Sequence, residues 1–458
     1  MNSRLKAHQI DMINGTLWNK IPRFAVPVAA TAILEQLFNA SDVAIVGNFT
    51  GAAERTAAVA AVGANSAIIS LIINLFIGIA LGANVVIAHA IGQDDRPSVE
   101  KAVHTSIVIA VLGGVGVAIL GELVAAPLMR LLQVPDDVFS LALLYLRLYL
   151  LGMPVILLYN FEAAIFRSIG DTQTPLIVLA ASGILNVLLN LFFVAVLNMT
   201  VNGVAIATVI ANAVSALLLY LRLRRSDQAI HVDPKKFRID GPSLAKIIKI
   251  GLPAGIQSGM FSISNIVIQS AINSLGKVSM AASSAAYNIE IITYDIVNSF
   301  SQACTTFVGQ NLGAGRLSRC KRTLALCIAE GAVTLAIAIF SILFFGKPLL
   351  SIFNNDPEVV STGFIRLMMI VPSHSFSLLY EVMSGYLRGF GHSTVPAVLT
   401  TFGICIIRIL WIHFVFPTSE TFKTIMTVYP ISLGTTALLV FIALLIYHPS
   451  RRLEAAQK

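Results

Sequence analysis

Twelve stretches long and apolar enough to cross a bilayer follow one another along this chain, and no other feature restricts its fold as much. A helix that spans about 30 Å of hydrocarbon needs about 20 apolar residues. The stretches lie at 22–47, 57–90, 102–126, 138–165, 174–197 and 202–223, then at 245–275, 283–310, 322–346, 358–387, 394–416 and 424–447. Lipid-facing strands would alternate apolar and polar residues in segments of about ten. These stretches do not, so the chain reads as an all-α integral membrane protein of twelve transmembrane helices. Composition agrees: of 458 residues, 56% are apolar and 12% charged, against about 25% charged in soluble domains. Such a chain is not a soluble enzyme, a nucleic-acid binder or a disordered scaffold. The runs 57–90 and 283–310 are broken by small and polar residues and are expected to line a wet space.

Charge sets the orientation. The first apolar run is too long for the core of a cleaved signal peptide and is expected to stay as a span. With the N-terminus in the cytoplasm, an even number of spans returns the C-terminus there. Of the 31 Lys and Arg, 23 then fall inside, five outside (Arg55, Arg130, Lys277, Lys347, Lys423) and three within spans (Arg147, Arg366, Arg408). That bias satisfies the positive-inside rule, so the net charge of +8 reads as topogenic. Cys304, Cys320, Cys327 and Cys405 form no CxxC pair and read as small apolar residues.

The chain repeats itself. Phe166-Arg167-Ser168-Ile169-Gly170, followed by Pro175, matches Leu387-Arg388-Gly389-Phe390-Gly391, followed by Pro396, at an offset of 221. Leu132 to Val138 faces Phe353 to Val359 at the same offset. Gly92-Gln93 matches Gly309-Gln310, and Pro27 in the first span matches Pro253 in the seventh. The expected division is an N-lobe over 1–230, a cytoplasmic linker over 231–244 and a C-lobe over 245–458. Six spans per half insert both halves in one direction. Paired lobes of this kind place a substrate site at their interface and work by rocking, which makes transport the leading hypothesis.

The sequence resembles the multidrug and toxic compound extrusion (MATE) family over about residues 15 to 450. The resemblance rests on the Pro27-containing first helix ending near Asp42, the paired Arg-x-x-Gly turns, and the run Gly309-Gln310-Asn311-Leu312-Gly313-Ala314-Gly315-Arg316. It implies two pseudo-symmetric six-helix lobes around a V-shaped cleft in the inner membrane of a bacterial cell. It also implies a multidrug efflux antiporter that exports organic cations or other amphipathic drugs in exchange for H+ or Na+. Such a protein needs no cofactor beyond the coupling ion and is not an enzyme. Its expected partners are small amphipathic molecules and membrane lipid, not nucleic acid, and it is expected to act as a monomer.

Ionisable groups at bilayer depth are functional candidates because burying them costs about 2.5–3.5 kcal/mol each on insertion scales. Glu35, Asn39 and Asp42 share one face of the first span. Asn186 and Asn190 are one turn apart in the fifth, as are Thr208 and Asn212 in the sixth. The resemblance maps the family's cation site onto Asp42, Asn186, Asn190 and Thr208, with Glu35, Asn39 and Asn212 as accessories. A hard cation asks for several oxygens, whereas a proton asks for one carboxylate. The choice of ion stays open, with a preference for H+ because the amides can equally hydrogen-bond a protonated Asp42. In the second half, Glu290, Asp295 and Glu381 are candidates for the substrate cleft or for pairing with Arg366 or Arg408. Phe38, Phe261, Tyr287, Tyr294 and Tyr380 are candidate aromatic contacts for an organic cation. Glu122 and Glu330 fall near helix ends and are expected to reach water.

No Gly-x-x-x-x-Gly-Lys-Ser/Thr loop is present, so ATP is not the direct energy source. A lipid-linked saccharide flippase of related fold is the alternative. It would be expected to carry a strongly cationic cavity, and only Arg147, Arg366 and Arg408 lie in spans.

Overall fold

A computed structural model describes residues 8–51, 55–131 and 134–456. Leu132 and Gln133 of the repeated turn, and Arg4 and Lys6 of the basic N-terminus, lie outside the described residues. The described chain is helical, without a strand. In order the helices are α1 (Lys20–Phe49), α2 (Arg55–Gly92), α3 (Arg96–Leu131), α4 (Asp136–Leu151), α5 (Met153–Ser168), α6 (Gln173–Asn190), α7 (Val201–Arg224) and α8 (Gly241–Ser274). There follow α9 (Lys277–Gly313), α10 (Leu317–Phe344), α11 (Gly346–Phe353), α12 (Pro357–Gly389), α13 (Thr394–Thr400), α14 (Ile407–Leu410), α15 (Phe422–Tyr447) and α16 (Pro449–Ala456). Leu191–Val196 after α6, and Thr401–Ile406 and Trp411–Val415 on either side of α14, are π-helical.

Counting the bent and π-interrupted segments as single rods gives twelve long rods among the described residues, where twelve spans were expected. Among the described residues, nine helices are individually long and apolar enough to cross a bilayer, and the bent pair α4 and α5 makes ten. α8 and α9 fall below that hydropathy although they run for 34 and 37 residues, because Ser, Asn and Gln dilute them. The α4–α5 pair bends by 50° at Gly152. Pro154 explains the bend, since it has no N–H to give and its ring crowds the carbonyl one turn back.

The chain divides into two compact units. Unit 1 comprises Met1–Ile10 and Ala30–Leu252, and unit 2 comprises Asp11–Ala29 and Pro253–Lys458. This differs from the expected lobes at both ends. Residues 11–29 go with the second half, and 245–252 go with the first. The reason is that α1 and α8 each change units along their length, and each carries a proline within two residues of the change, Pro27 and Pro253.

Unit 1 buries three apolar clusters. One joins α2, α4, α5 and α7 through Val62, Tyr145, Met153 and Val204. A second is built on Ile87, Val103, Phe166 and Leu219, and a third on Ala83, Phe161 and Ile247. Unit 2 has its own three, around Ile272 and Ile425, Ile289 and Leu367, and Tyr380 and Leu433. All four cysteines are buried free thiols. The repeat is visible in the backbone as well. Gly170 and Gly391, at the 221 offset, turn at φ +84° and +83°, a conformation that suits glycine.

Candidate functional site: a buried carboxylate held by three helices

Unit 1 brings together the four residues expected to form the cation site. Asp42 on α1 is 7% exposed, and Asn186 and Asn190 on α6 are 5% and 0% exposed. Asn190 Nδ2 donates to Asp42 Oδ1 at 2.6 Å and to Asn186 Oδ1 at 3.1 Å. Thr208 Oγ1 on α7 lies 3.2 Å from Asp42 Oδ2 and also donates to the Val204 carbonyl at 2.9 Å. Asn186 Nδ2 approaches Thr208 Oγ1 at 3.4 Å. Both carboxylate oxygens therefore lie within hydrogen-bonding distance of neutral groups, Oδ2 sharing the Thr208 proton with the Val204 carbonyl, and no cationic side chain pairs with Asp42 among the described residues. Asn190 Oδ1 is buried with no hydrogen-bond partner.

Local sequence explains the arrangement. Asn186 and Asn190 are one turn apart, so both face the same way from α6. Asn190 is the last α-helical residue before the π-helical Leu191–Val196, and such insertions recur at functional sites. The close approach of α1 to α6 depends on Gly183, because a Cβ there would lie 1.8 Å from Phe38 Cε2. Phe38, expected as a drug contact, is thus a packing residue between these helices.

The accessory candidates divide. Asn212 joins the cluster indirectly, donating to the Thr208 carbonyl at 2.9 Å. Glu35 and Asn39 are exposed side chains that do not bond to the cluster, although they share a helix face with Asp42.

In unit 2 the acidic candidates are largely engaged. Glu290 forms a two-pronged pair with Arg366, at 2.9 Å to Nε and 2.5 Å to Nη2, and both side chains are about 5% exposed. Glu381 sits 3.5 Å from Arg388, not beside Arg366 or Arg408 as the sequence suggested. Asp295 is buried at 7% exposure. Among the aromatic candidates, Tyr380 is core at 1% exposure, whereas Tyr287 is 45% exposed with its ring 5.9 Å from the Arg366 guanidinium. Phe261 packs at the edge of the Tyr380 cluster, and the Tyr294 ring lies 6.1 Å from His374.

Glu122 is exposed and pairs with Arg147 at 2.8 Å, in keeping with its place near a helix end. Glu330 does not reach water as expected: both its oxygens are buried without a hydrogen-bond partner. A third carboxyl went unread. Glu162 on α5 is 0% exposed, and neither oxygen has a hydrogen-bond partner. Its signal was present in the sequence as an acidic residue in the middle of the run 138–165. The Gly309–Arg316 run has a structural task that its use as a signature did not reveal. Asn311 Nδ2 and Arg319 Nη2 donate to the Met12 carbonyl at 3.1 Å each, Arg316 Nη1 to Ile13 at 2.7 Å, and Arg319 Nη1 to Gly15 at 2.9 Å.

The MatE family profile matches residues 27–192 and again 253–412, once in each repeat. The probable multidrug resistance protein YoeA of Bacillus subtilis is 26% identical over 398 residues, covering 85% of each chain. The probable multidrug resistance protein NorM of Thermotoga maritima is 26% identical over 402 residues, 84% of this chain and 83% of that one. A FAD transporter of Shewanella oneidensis is 26% identical over 313 residues, 67% of this chain and 68% of that one. Among solved structures, MATE in complex with MaL6 superposes with a TM-score of 0.88 at 19% identity, covering 100% of this chain and 99% of that one. The outward-facing conformation of a MATE transporter gives 0.87 at 20% identity, covering 97% and 98%. These superpositions establish the fold, and the profile establishes the kinship: the chain belongs to the MatE family, whose members are membrane transporters and not enzymes.

Proposed function

We propose that this protein is a secondary active exporter of organic cations and other amphipathic molecules, driven by inward flow of H+ or Na+ through the Asp42 cluster. The observation that carries the reading is a buried carboxylate whose hydrogen bonds all come from neutral groups. A carboxylate so placed gains a partner when a cation or a proton arrives, and this gives its two states different energies. Kinship with two proteins named for multidrug resistance supports the substrate class. The 23-to-5 distribution of Lys and Arg supports a bacterial inner membrane protein with both termini in the cytoplasm. We read it as a monomer.

Two features bear on the ion. Asp42, Asn186, Asn190 and Thr208 present several oxygens within hydrogen-bonding distance of one another, a donor set that suits Na+. The Asn190 amide suits H+ equally. Its Nδ2 faces the ionised carboxylate, and a flip of the amide would turn the unpartnered Oδ1 toward a protonated one. Because one rotation serves both states, H+ is the preferred ion.

The test is ethidium export from proteoliposomes under a pH gradient alone and a Na+ gradient alone, in the parent and in Asp42→Asn. Loss of export in the variant at equal folded yield supports the reading. Unchanged export in the variant rules out Asp42 as the coupling group. Export driven by Na+ at fixed pH, and lost in Asn186→Ala and Asn190→Ala, reverses the preference for H+.

A further inference from the structure

Unit 2 carries three buried arginines in its long rods, and they are not alike. Arg366 is paired with Glu290 and Arg388 with Glu381. Arg408, 4% exposed, has no ion pair among the described residues. Its bonds are long and go to neutral oxygens, Nε to Ser432 Oγ at 3.3 Å and Nη1 to Asn265 Oδ1 at 3.2 Å. The guanidinium lies 4.3 Å from the centre of the Tyr429 ring. A guanidinium has five N–H groups in a fork shaped for a carboxylate or phosphate. A buried cation left with two weak neutral acceptors and a ring face is short of the anion that would offset its desolvation.

The repeat shows what this place is. The 221 offset carries Thr208 to Tyr429, Ala211 to Ser432 and Val187 to Arg408. In the first span the proline pair sets the offset at 226, which carries Asn39 to Asn265. The helices that hold Asp42, Asn186, Asn190 and Thr208 in unit 1 are α1, α6 and α7. Their counterparts α8, α14 and α15 hold Asn265, Arg408, Ser432 and Tyr429 in unit 2. Even the π-helix is reproduced, Leu191–Val196 following α6 and Trp411–Val415 following α14. Corresponding helices of the two repeats therefore hold, at different positions, a carboxylate without a cationic partner in one and a guanidinium without an anionic partner in the other.

We infer that Arg408, with Asn265 and Ser432, forms an oxyanion-binding site in unit 2 that takes the carboxylate or phosphate group of an organic anion. Asn265 is itself an exposed side chain, so the guanidinium lies one residue beneath the surface of the unit. The inference rests on the export reading for its physiological meaning, but the binding itself does not. It widens the cargo to molecules that carry a negative group.

The test is equilibrium binding of 5-carboxyfluorescein, read by fluorescence anisotropy, to the purified full chain in phosphatidylcholine nanodiscs. The parent should bind the dye, and inorganic phosphate should compete. Arg408→Gln should weaken binding by about tenfold or more, the loss expected for a charge-assisted pair, and Arg408→Lys should retain part of it. Asn265→Asp gives a variant in which the fold gains an ion pair. The new carboxylate occupies the guanidinium and should abolish dye binding. Equal affinity in the parent, Arg408→Gln and Asn265→Asp overturns the site, as does absence of binding in the parent. Discs with added phosphatidylglycerol separate the sources. Competition assigns the site to a lipid headgroup, no competition assigns it to a soluble anion, and either keeps it at Arg408. A protein that binds the dye but exports no ethidium overturns the coupling reading and leaves this site standing. One that exports ethidium but binds no dye does the reverse.

Discussion

The amide of Asn190 donates to the carboxylate of Asp42 at 2.6 Å, across 148 residues of sequence. The same Nδ2 holds Asn186, so one side chain joins two helices and orders the whole cluster. Asn190→Ala should therefore do more than remove an oxygen. It strips Asp42 Oδ1 of its donor, and a buried acceptor left unpaired costs about 1–3 kcal/mol. Ion-driven ethidium export should fall at least as far as in Asn186→Ala. Export assays on both variants at matched protein yield check this, and equal activity in Asn190→Ala and the parent would contradict it.

The Glu290–Arg366 pair tests whether unit 2 uses its charges for stability. Glu290→Gln leaves a buried guanidinium without its carboxylate and should cost about 3–5 kcal/mol. The double variant Glu290→Leu with Arg366→Met removes both charges and should recover most of that loss. Thermal unfolding in detergent, followed by tryptophan fluorescence, reads the cycle. A single variant as stable as the parent would show that the pair contributes nothing.

Glu162 makes the opposite prediction. It is wholly buried with both oxygens unpartnered, so its presence is a cost to the fold. Glu162→Leu should raise the melting temperature, by an amount corresponding to about 1–3 kcal/mol. A lowered melting temperature would mean that the carboxyl is bonded in the folded protein.

Asp240 caps α8 from the polar connection, outside the spans. Its Oδ2 accepts from the Ser243 hydroxyl at 2.7 Å and from the Ser243 amide at 3.0 Å. Those bonds, with Lys101 and Arg238 nearby, hold its pKa below the ordinary carboxylate value. A carboxyl lowered on folding stabilises the protein above its unfolded pKa, about 3.9. That contribution fades as pH falls through the lower folded value. Asp240→Ala should lower the melting temperature by a few degrees throughout pH 5–8. The gap should narrow below about pH 4. A gap that widens on acidification would reverse the sign of the argument.

The spans were legible because the bilayer writes them at a fixed length in apolar residues. Asp42 stood out for the same reason, as a charge where charge is costly. Helical spacing could not say whether Glu35 and Asn39 bond to Asp42. Periodicity shows that they share a face with Asp42, but not how far along that face the neighbouring helices reach, and they are exposed. Pairing was also beyond the sequence. Nothing in the spacing of Glu290, Glu381, Arg366, Arg388 and Arg408 says which carboxylate meets which guanidinium. The partners lie on different rods in one case and seven residues apart in the other. Arg388 counts in the sequence as one more inside charge of a turn motif, and its burial at 7% exposure is visible only in the fold. The lobe boundary was set at the basic connection because polar residues are conspicuous, but contacts divide the chain inside the apolar helices α1 and α8.

Because Asp11–Ala29 belongs to the unit built from Pro253 onward, the second unit is not a continuous piece of chain. The ribosome delivers its first strip at the outset, but the groups that grasp Met12, Ile13 and Gly15 are Asn311, Arg316 and Arg319. Until those residues are made, the leading segment has no partner, and its carbonyls are served by water. Closing so long a loop is slow compared with pairing neighbouring helices. Docking of the N-terminal segment on these groups thus waits until the chain has been made as far as Arg319. A second half expressed from Pro253 alone would present that grasp empty, and a peptide spanning residues 11–29 supplied separately would be the piece that fills it.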